Sequence, residues 1–226
     1  MVLHKRIKQA RLIGFRNGRP FYSVSGSGGH NVFDLDQASF RGRNDDGSET
    51  GATWIAAADT NWTQDVDENF RVRFLVQEIG AGILAGNHTA TLSPFQYNLN
   101  SAGWNIILNL SSVVKLSLST HFTNLSDTTQ QLGSGTFITG VMYEGSGSFV
   151  TSLNGDDETE NEGCFQIVEA DVSDEDTIQL RCVGEETSGT VFSAYTSIPT
   201  ITVNKPAGGA PDILFQRKRT NILLRM

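Results

Sequence analysis

The sequence predicts an all-β protein, an antiparallel β-sandwich with an extended arm at each end. Three observations carry this. Residues 69–77 run with period two, setting Phe70, Val72, Phe74 and Val76 on one face and Arg71, Arg73 and Gln77 on the other, the pattern of a half-buried strand. From about residue 52, short runs rich in β-branched and aromatic residues recur every 8 to 15 residues, separated by turn clusters such as Asn100-Ser101-Ala102-Gly103 and Asn154-Gly155-Asp156-Asp157. No window of 12 or more residues in that region carries an apolar stripe of helical period. At 226 residues the chain is long enough to bury about 70% of its extended surface on folding, so it needs neither disulfide staples nor a structural metal.

In chain order, residues 1–51 read as an extended basic N-terminal arm ending in a linker, the flexible stretch being Ser25-Gly26-Ser27-Gly28-Gly29. The arm has room for one helical turn over residues 4–12. Its apolar residues stand singly or in pairs among cations, so it reads as a segment that docks: Arg11, Arg16 and Arg19 suit carboxylates, and Phe15, Phe21 and Tyr22 suit apolar grooves. The body, residues 52–204, holds strands at 53–58, 69–77, 89–99, 104–108, 113–119, 135–143, 147–153, 163–168, 177–183, 190–195 and 200–203. Its expected core is Phe70, Val72, Phe74, Val76, Trp104, Phe137, Phe165, Ile167, Ile178 and Leu180. Residues 205–226 form a second basic arm, in which Pro206 and Pro211 favour an extended exit and Phe215, Arg217, Lys218 and Arg219 repeat the mixture of anchor and charge.

The two cysteines, Cys164 and Cys182, are too few for a disulfide framework. Pairing 163–168 with 177–183 as a hairpin with apolar faces matched sends the two sulfurs to opposite faces. If instead the chain crosses between sheets there, the spacing resembles the corner before the last strands of immunoglobulin-like, Greek-key sandwiches, with Ile178 near where a Tyr is usual. Neither arrangement favours a disulfide.

Charge is distributed unevenly. Residues 1–43 carry eight basic and two acidic side chains, residues 205–226 carry five and one, and residues 44–204 carry four and twenty-two, for a total of −8. An acidic body between basic ends suggests arms that adhere to something negative. Duplex nucleic acid is disfavoured by that body, and acidic protein surface is the expected partner. The N-terminus lacks the apolar run of an export signal, and no segment has the 18 apolar residues of a membrane span, so neither export nor membrane insertion is expected. The Asn-x-Ser/Thr triplets at Asn61, Asn87, Asn109 and Asn124 then read as chance matches.

No catalytic set can be named. His4, His30, His88 and His121 are scattered and fit no metal or nucleophile motif. The acidic runs 65–68 and 156–162 offer oxygen ligands for Ca²⁺ but lack a calcium-loop pattern, and they read as solvated loops. No cofactor, metal or catalytic residue is expected.

Several segments carry a resemblance. Phe70-Arg-Val-Arg-Phe-Leu-Val-Gln-Glu78, Gln96-Tyr-Asn-Leu-Asn-Ser-Ala-Gly-Trp104, Ser111-Ser-Val-Val-Lys115, Thr128-Thr-Gln-Gln-Leu-Gly-Ser-Gly-Thr-Phe137, and Phe165 onward through Asp176-Thr-Ile-Gln-Leu180 resemble, in order and content, a β-rich module of tailed-bacteriophage virion structural proteins. The likeness covers roughly residues 52–204. A shorter one joins Gly14-Phe-Arg-Asn-Gly-Arg-Pro-Phe-Tyr-Ser-Val-Ser-Gly26 to the N-terminal segment of some head-associated proteins. The resemblance implies a non-enzymatic virion component assembled in the bacterial cytoplasm. A capsid decoration or head-surface protein is the first expectation, and a tail, neck or fibre component, with carbohydrate or receptor binding, is the alternative. Its partners would be major capsid or tail subunits and further copies of itself. The arms would do the binding, through Arg11, Phe15, Arg16, Arg19, Phe21, Tyr22, Phe215, Arg217, Lys218 and Arg219.

Overall fold

The computed structural model describes residues 34–80, 94–147, 149–184 and 191–206 in full, and the backbone alone of residues 10–16, 19–24 and 86–90. The protein is all-β, and one 3-10 turn (Glu169–Asp171) is its only helical element among the described residues. The strands are β1 (Ala10–Arg16), β2 (Arg19–Val24), β3 (Leu35–Asn44), β4 (Trp62–Asp65), β5 (Asn69–Glu78), β6 (Gly86–Ala90), β7 (Phe95–Leu99), β8 (Trp104–Ile106), β9 (Val114–Leu116), β10 (Thr136–Phe137), β11 (Met142–Tyr143), β12 (Phe149–Leu153), β13 (Asp157–Ile167), β14 (Thr177–Cys182), β15 (Ala194–Tyr195) and β16 (Thr200–Asn204).

Two sheets pack face to face. The larger runs β10-β13-β5-β3-β15, with β9 and β11 also zipped to β13. The smaller runs β4-β16-β14-β7-β8. β1 pairs with β2, and β6 with β12. The purely antiparallel expectation is corrected: β10 and β11 join β13 in parallel, as β15 joins β3 and β16 joins β4, so both sheets are mixed. β13 and β14 lie in different sheets, so the chain crosses between layers, and both cysteines are buried and free.

Between the sheets lies an apolar core. β5 gives it Phe70, Val72, Phe74 and Val76, β13 gives Phe165 and Ile167, and β14 gives Ile178 and Leu180, all essentially without solvent contact. Aromatic rings tie one layer to the other: Phe95 of β7 lies 5.6 Å from Phe74 and 5.1 Å from Phe165, and Trp62 of β4 lies 6.3 Å from both Phe40 and Phe70. Two residues expected in this core are only half-buried. Trp104 sits on the edge strand β8, and Phe137 on the two-residue strand β10.

The N-terminal boundary moves. Leu35–Asn44, assigned to the arm, is a central strand hydrogen-bonded to β5 along its length. Residues 53–58, expected as a strand, instead run irregularly beside β3. Trp54 makes an isolated bridge to Arg43, and Asp59, at φ 55°, turns the chain away while its carboxylate accepts the Phe40 amide. The helical turn allowed over 4–12 is overturned where it can be seen, because β1 begins at Ala10; residues 4–9 lie outside the described residues.

The second face of the large sheet is also closed. Arg71 and Arg73, read as the exposed side of β5, have no solvent exposure, because the segments 45–54 and 117–135 fold over them. The run 156–162, read as a solvated acidic loop, is mostly β13 itself, with Glu160 and Glu162 both at 0% exposure.

Candidate functional site

Strand alternation builds a layer of charge under the large sheet. In register, Arg41 and Arg43 of β3 lie beside Arg73 and Arg71 of β5, and Glu160 and Glu162 of β13 lie beside Leu75 and Arg73. Glu162 is the hub: Oε2 meets Arg73 Nε at 2.6 Å and Arg43 Nη1 at 3.2 Å, and Oε1 meets Arg71 Nη1 at 3.1 Å. Arg73 also pairs with Glu49 at 2.5 Å and Glu160 at 3.1 Å, and Arg71 pairs with Asp45 at 3.3 Å. Glu160 Oε1 accepts three successive backbone N–H groups, those of Gln131, Leu132 and Gly133. Glu158 accepts from Gln77, Gln130 and the Gly135 amide. A side chain at Gly133 would run into the Glu158 carboxylate, so that carboxylate keeps its place only while the covering loop is bare there.

Electrostatics follow the geometry. Burial disfavours the Arg43 cation and lowers its pKa despite Glu162. Burial acts the same way on Arg73, but Glu162 and Glu49 outweigh it and the pKa rises. Burial pushes Glu49 up, yet the Thr129 amide and Arg73 hold it below the ordinary value. Trp54 closes the layer, with the Arg41 and Arg43 guanidiniums 4.4 and 4.3 Å from its ring. Arg43, Arg71 and Arg73 are each paired with carboxylates of the layer, which works as an internal clasp.

The other faces show what is available to a ligand. Across the outer side of the small sheet, Trp104 stands opposite Asn98, Asn98 opposite Gln179, and Gln96 between Ile106 and Arg181. Arg181 lies 4.0 Å over Trp104 and 4.9 Å from Tyr195. Beyond β8, Ile106, Leu108, Leu110 and Leu118 are exposed within 13 residues, Leu110 at 97% and Leu118 at 74%. Ser111 bonds to Ile106 and Leu108, and the Leu116 amide donates to Leu108, so this apolar stretch has a fixed shape.

The residues expected to bind partners fall into two groups. Arg11, Phe15 and Arg16 lie on β1, and Arg19, Phe21 and Tyr22 on β2. Their backbone register sets Arg16 opposite Arg19, Phe15 opposite Pro20 and Phe21 opposite Gly14, so the fold gathers six of the ten on one hairpin. Phe215, Arg217, Lys218 and Arg219 lie outside the described residues. Lys205, expected in the C-terminal arm, is tied to the body, its ammonium donating to the Glu169 and Val172 carbonyls. Among the described residues no three His, Cys, Asp or Glu side chains form a metal-binding group. Among the described residues no helix is long and apolar enough to cross a membrane. The outer-face cluster and the apolar stretch are hidden in the sequence, where Trp104 reads as core and 104–108 and 113–119 as two ordinary strands. The one available signal was that Lys115 is the only charged residue from Trp104 to Ser119 in an otherwise acidic body.

No family model, curated protein or solved structure matches this chain.

Proposed function

We propose that the chain is a non-enzymatic virion structural protein of a tailed phage, a capsid decoration or head-surface subunit that binds a protein lattice. The observation that carries the assembly role is the exposed apolar stretch Ile106–Leu118, whose four large aliphatic side chains face solvent on an otherwise acidic body. Such a patch marks a surface that is covered in use. The basic ends supply a second, electrostatic hold on an acidic lattice. The tailed-phage assignment rests on the sequence resemblance of residues 52–204.

The test is reconstitution on shells stripped of this protein, with occupancy read by densitometry after sedimentation. Wild type is expected to bind. Leu110→Ser/Leu118→Ser, which touches nothing in the core, and a chain lacking residues 1–30 are each expected to lose most of that occupancy. Absence of the chain from purified virions by mass spectrometry would overturn the virion reading, and full occupancy by both variants would overturn the binding surfaces.

A further inference from the structure

Among the described residues, the outer face of the small sheet has hydrogen-bond donors to spare and one cation without an anion. Arg181 donates Nε and Nη2 to the same oxygen, Gln96 Oε1, at 2.9 and 2.7 Å. Because a guanidinium only donates, Gln96 must turn its oxygen inward, and its Nε2 points away from Arg181. The same logic fixes the next row. The Gly103 amide donates to Asn98 Oδ1 at 2.8 Å, so Asn98 Nδ2 donates to Gln179 Oε1 at 3.2 Å and leaves Gln179 Nε2 outward. Among the described residues, Arg181 Nη1, Gln96 Nε2 and Gln179 Nε2 have no hydrogen-bond partner, and no carboxylate pairs with Arg181.

This is unusual in its setting. Of the four basic residues between 44 and 204, Arg71 and Arg73 are consumed in the buried layer, whereas Arg181 forms no salt bridge among the described residues. It is rigid as well, clamped between Trp104 and Tyr195. The Tyr195 hydroxyl is itself fixed, donating to the Cys182 carbonyl and accepting the Phe192 amide. Burial lowers the Arg181 pKa, so an arriving anion would relieve a cation that pays for its desolvation.

We propose that this face binds a carboxylate-bearing saccharide chain, with Arg181 taking the carboxylate, the Gln96 and Gln179 amides donating to ring and hydroxyl oxygens, and Trp104 stacking on a sugar ring. Gln96 and Gln179 stand diagonally across the neighbouring strands β7 and β14, about 7 to 8 Å apart, so they would donate to oxygens of adjoining sugar units. A half-buried indole beside them offers the apolar surface that a pyranose face needs. An extended peptide would instead pair with the open backbone edge of β8 and leave these side-chain donors unused.

The probe is a hexameric uronate oligosaccharide titrated into the full chain by calorimetry, beside a neutral hexose hexamer, an acidic hexapeptide and inorganic sulfate. The uronate is expected to bind, the neutral hexamer to bind more weakly, and Arg181→Gln to weaken the uronate about ten- to hundred-fold while leaving the neutral oligomer unchanged. Trp104→Phe, on an edge strand, serves where Arg181→Gln does not fold; it should weaken both oligosaccharides, and ligand should change the fluorescence of Trp104 in the wild type. No uronate binding, equal binding of the peptide or sulfate, or uronate affinity indifferent to both variants would overturn the proposal. Occupancy on shells is a separate readout, so failure here leaves the assembly role standing and loss of assembly leaves this site standing.

Discussion

Glu162 has no room for error. It faces three guanidiniums at 2.6 to 3.2 Å in a space without solvent, so removing its charge strands cations that cannot reach water. Glu162→Gln is expected to cost about 3 to 5 kcal/mol by urea denaturation, the penalty of breaking a buried pair from one side. Acid should attack the same layer. The folded pKa of Glu49 lies below its unfolded value, so its stabilisation is present above the ordinary carboxylate range and is lost as pH falls through the folded pKa. Glu78 works in the opposite sense: burial and Asp34 raise it, and protonation relieves the fold there. The urea midpoint should therefore fall between about pH 5 and pH 3, and Glu49→Gln should flatten that slope while lowering stability at pH 7.

At the scale of elements, the readable strands were those whose alternation is written in hydropathy. β5 and β14 place Phe70, Val72, Phe74, Ile178 and Leu180 in the core as expected, and Phe74→Ala, which vacates a wholly buried ring against Phe95, should cost about 3 to 5 kcal/mol by denaturation. β3 and the acidic half of β13, residues 157–162, escape such a reading because their alternation is written in charge, whereas 163–168 reads as a strand from Phe165 and Ile167. Arg41-Gly42-Arg43 and Glu158-Thr159-Glu160-Asn161-Glu162 keep a strict period of two, and Arg71-Val72-Arg73 is the complementary strand between them. Judged by polarity, such segments belong in solvent. Judged by matched periods of opposite sign, they belong side by side. The outer-face cluster was illegible for a different reason: Trp104, Gln96 and Arg181 are separated by up to 85 positions and meet only through strand register.

For the whole molecule, the large sheet has a core on each side, one apolar and one ionic, and the two should fail together. Trp62 reports the first, between Phe40 and Phe70, and Trp54 the second, under Arg41 and Arg43. With Trp104 replaced by Phe, variants keeping either tryptophan alone should give superimposable fluorescence transitions that also match far-UV circular dichroism; separated midpoints would show that the clasp opens before the sandwich. The clasp also bears on how such a sequence can change over generations. Its three guanidiniums and four carboxylates hold one another across strands and loops, so a first substitution meets the full penalty, and its compensation lies up to 119 residues away. Drift by single steps is closed to these positions. Relatives of this chain should carry the whole set unaltered or have exchanged it in one concerted replacement, while the outer faces remain free to diverge.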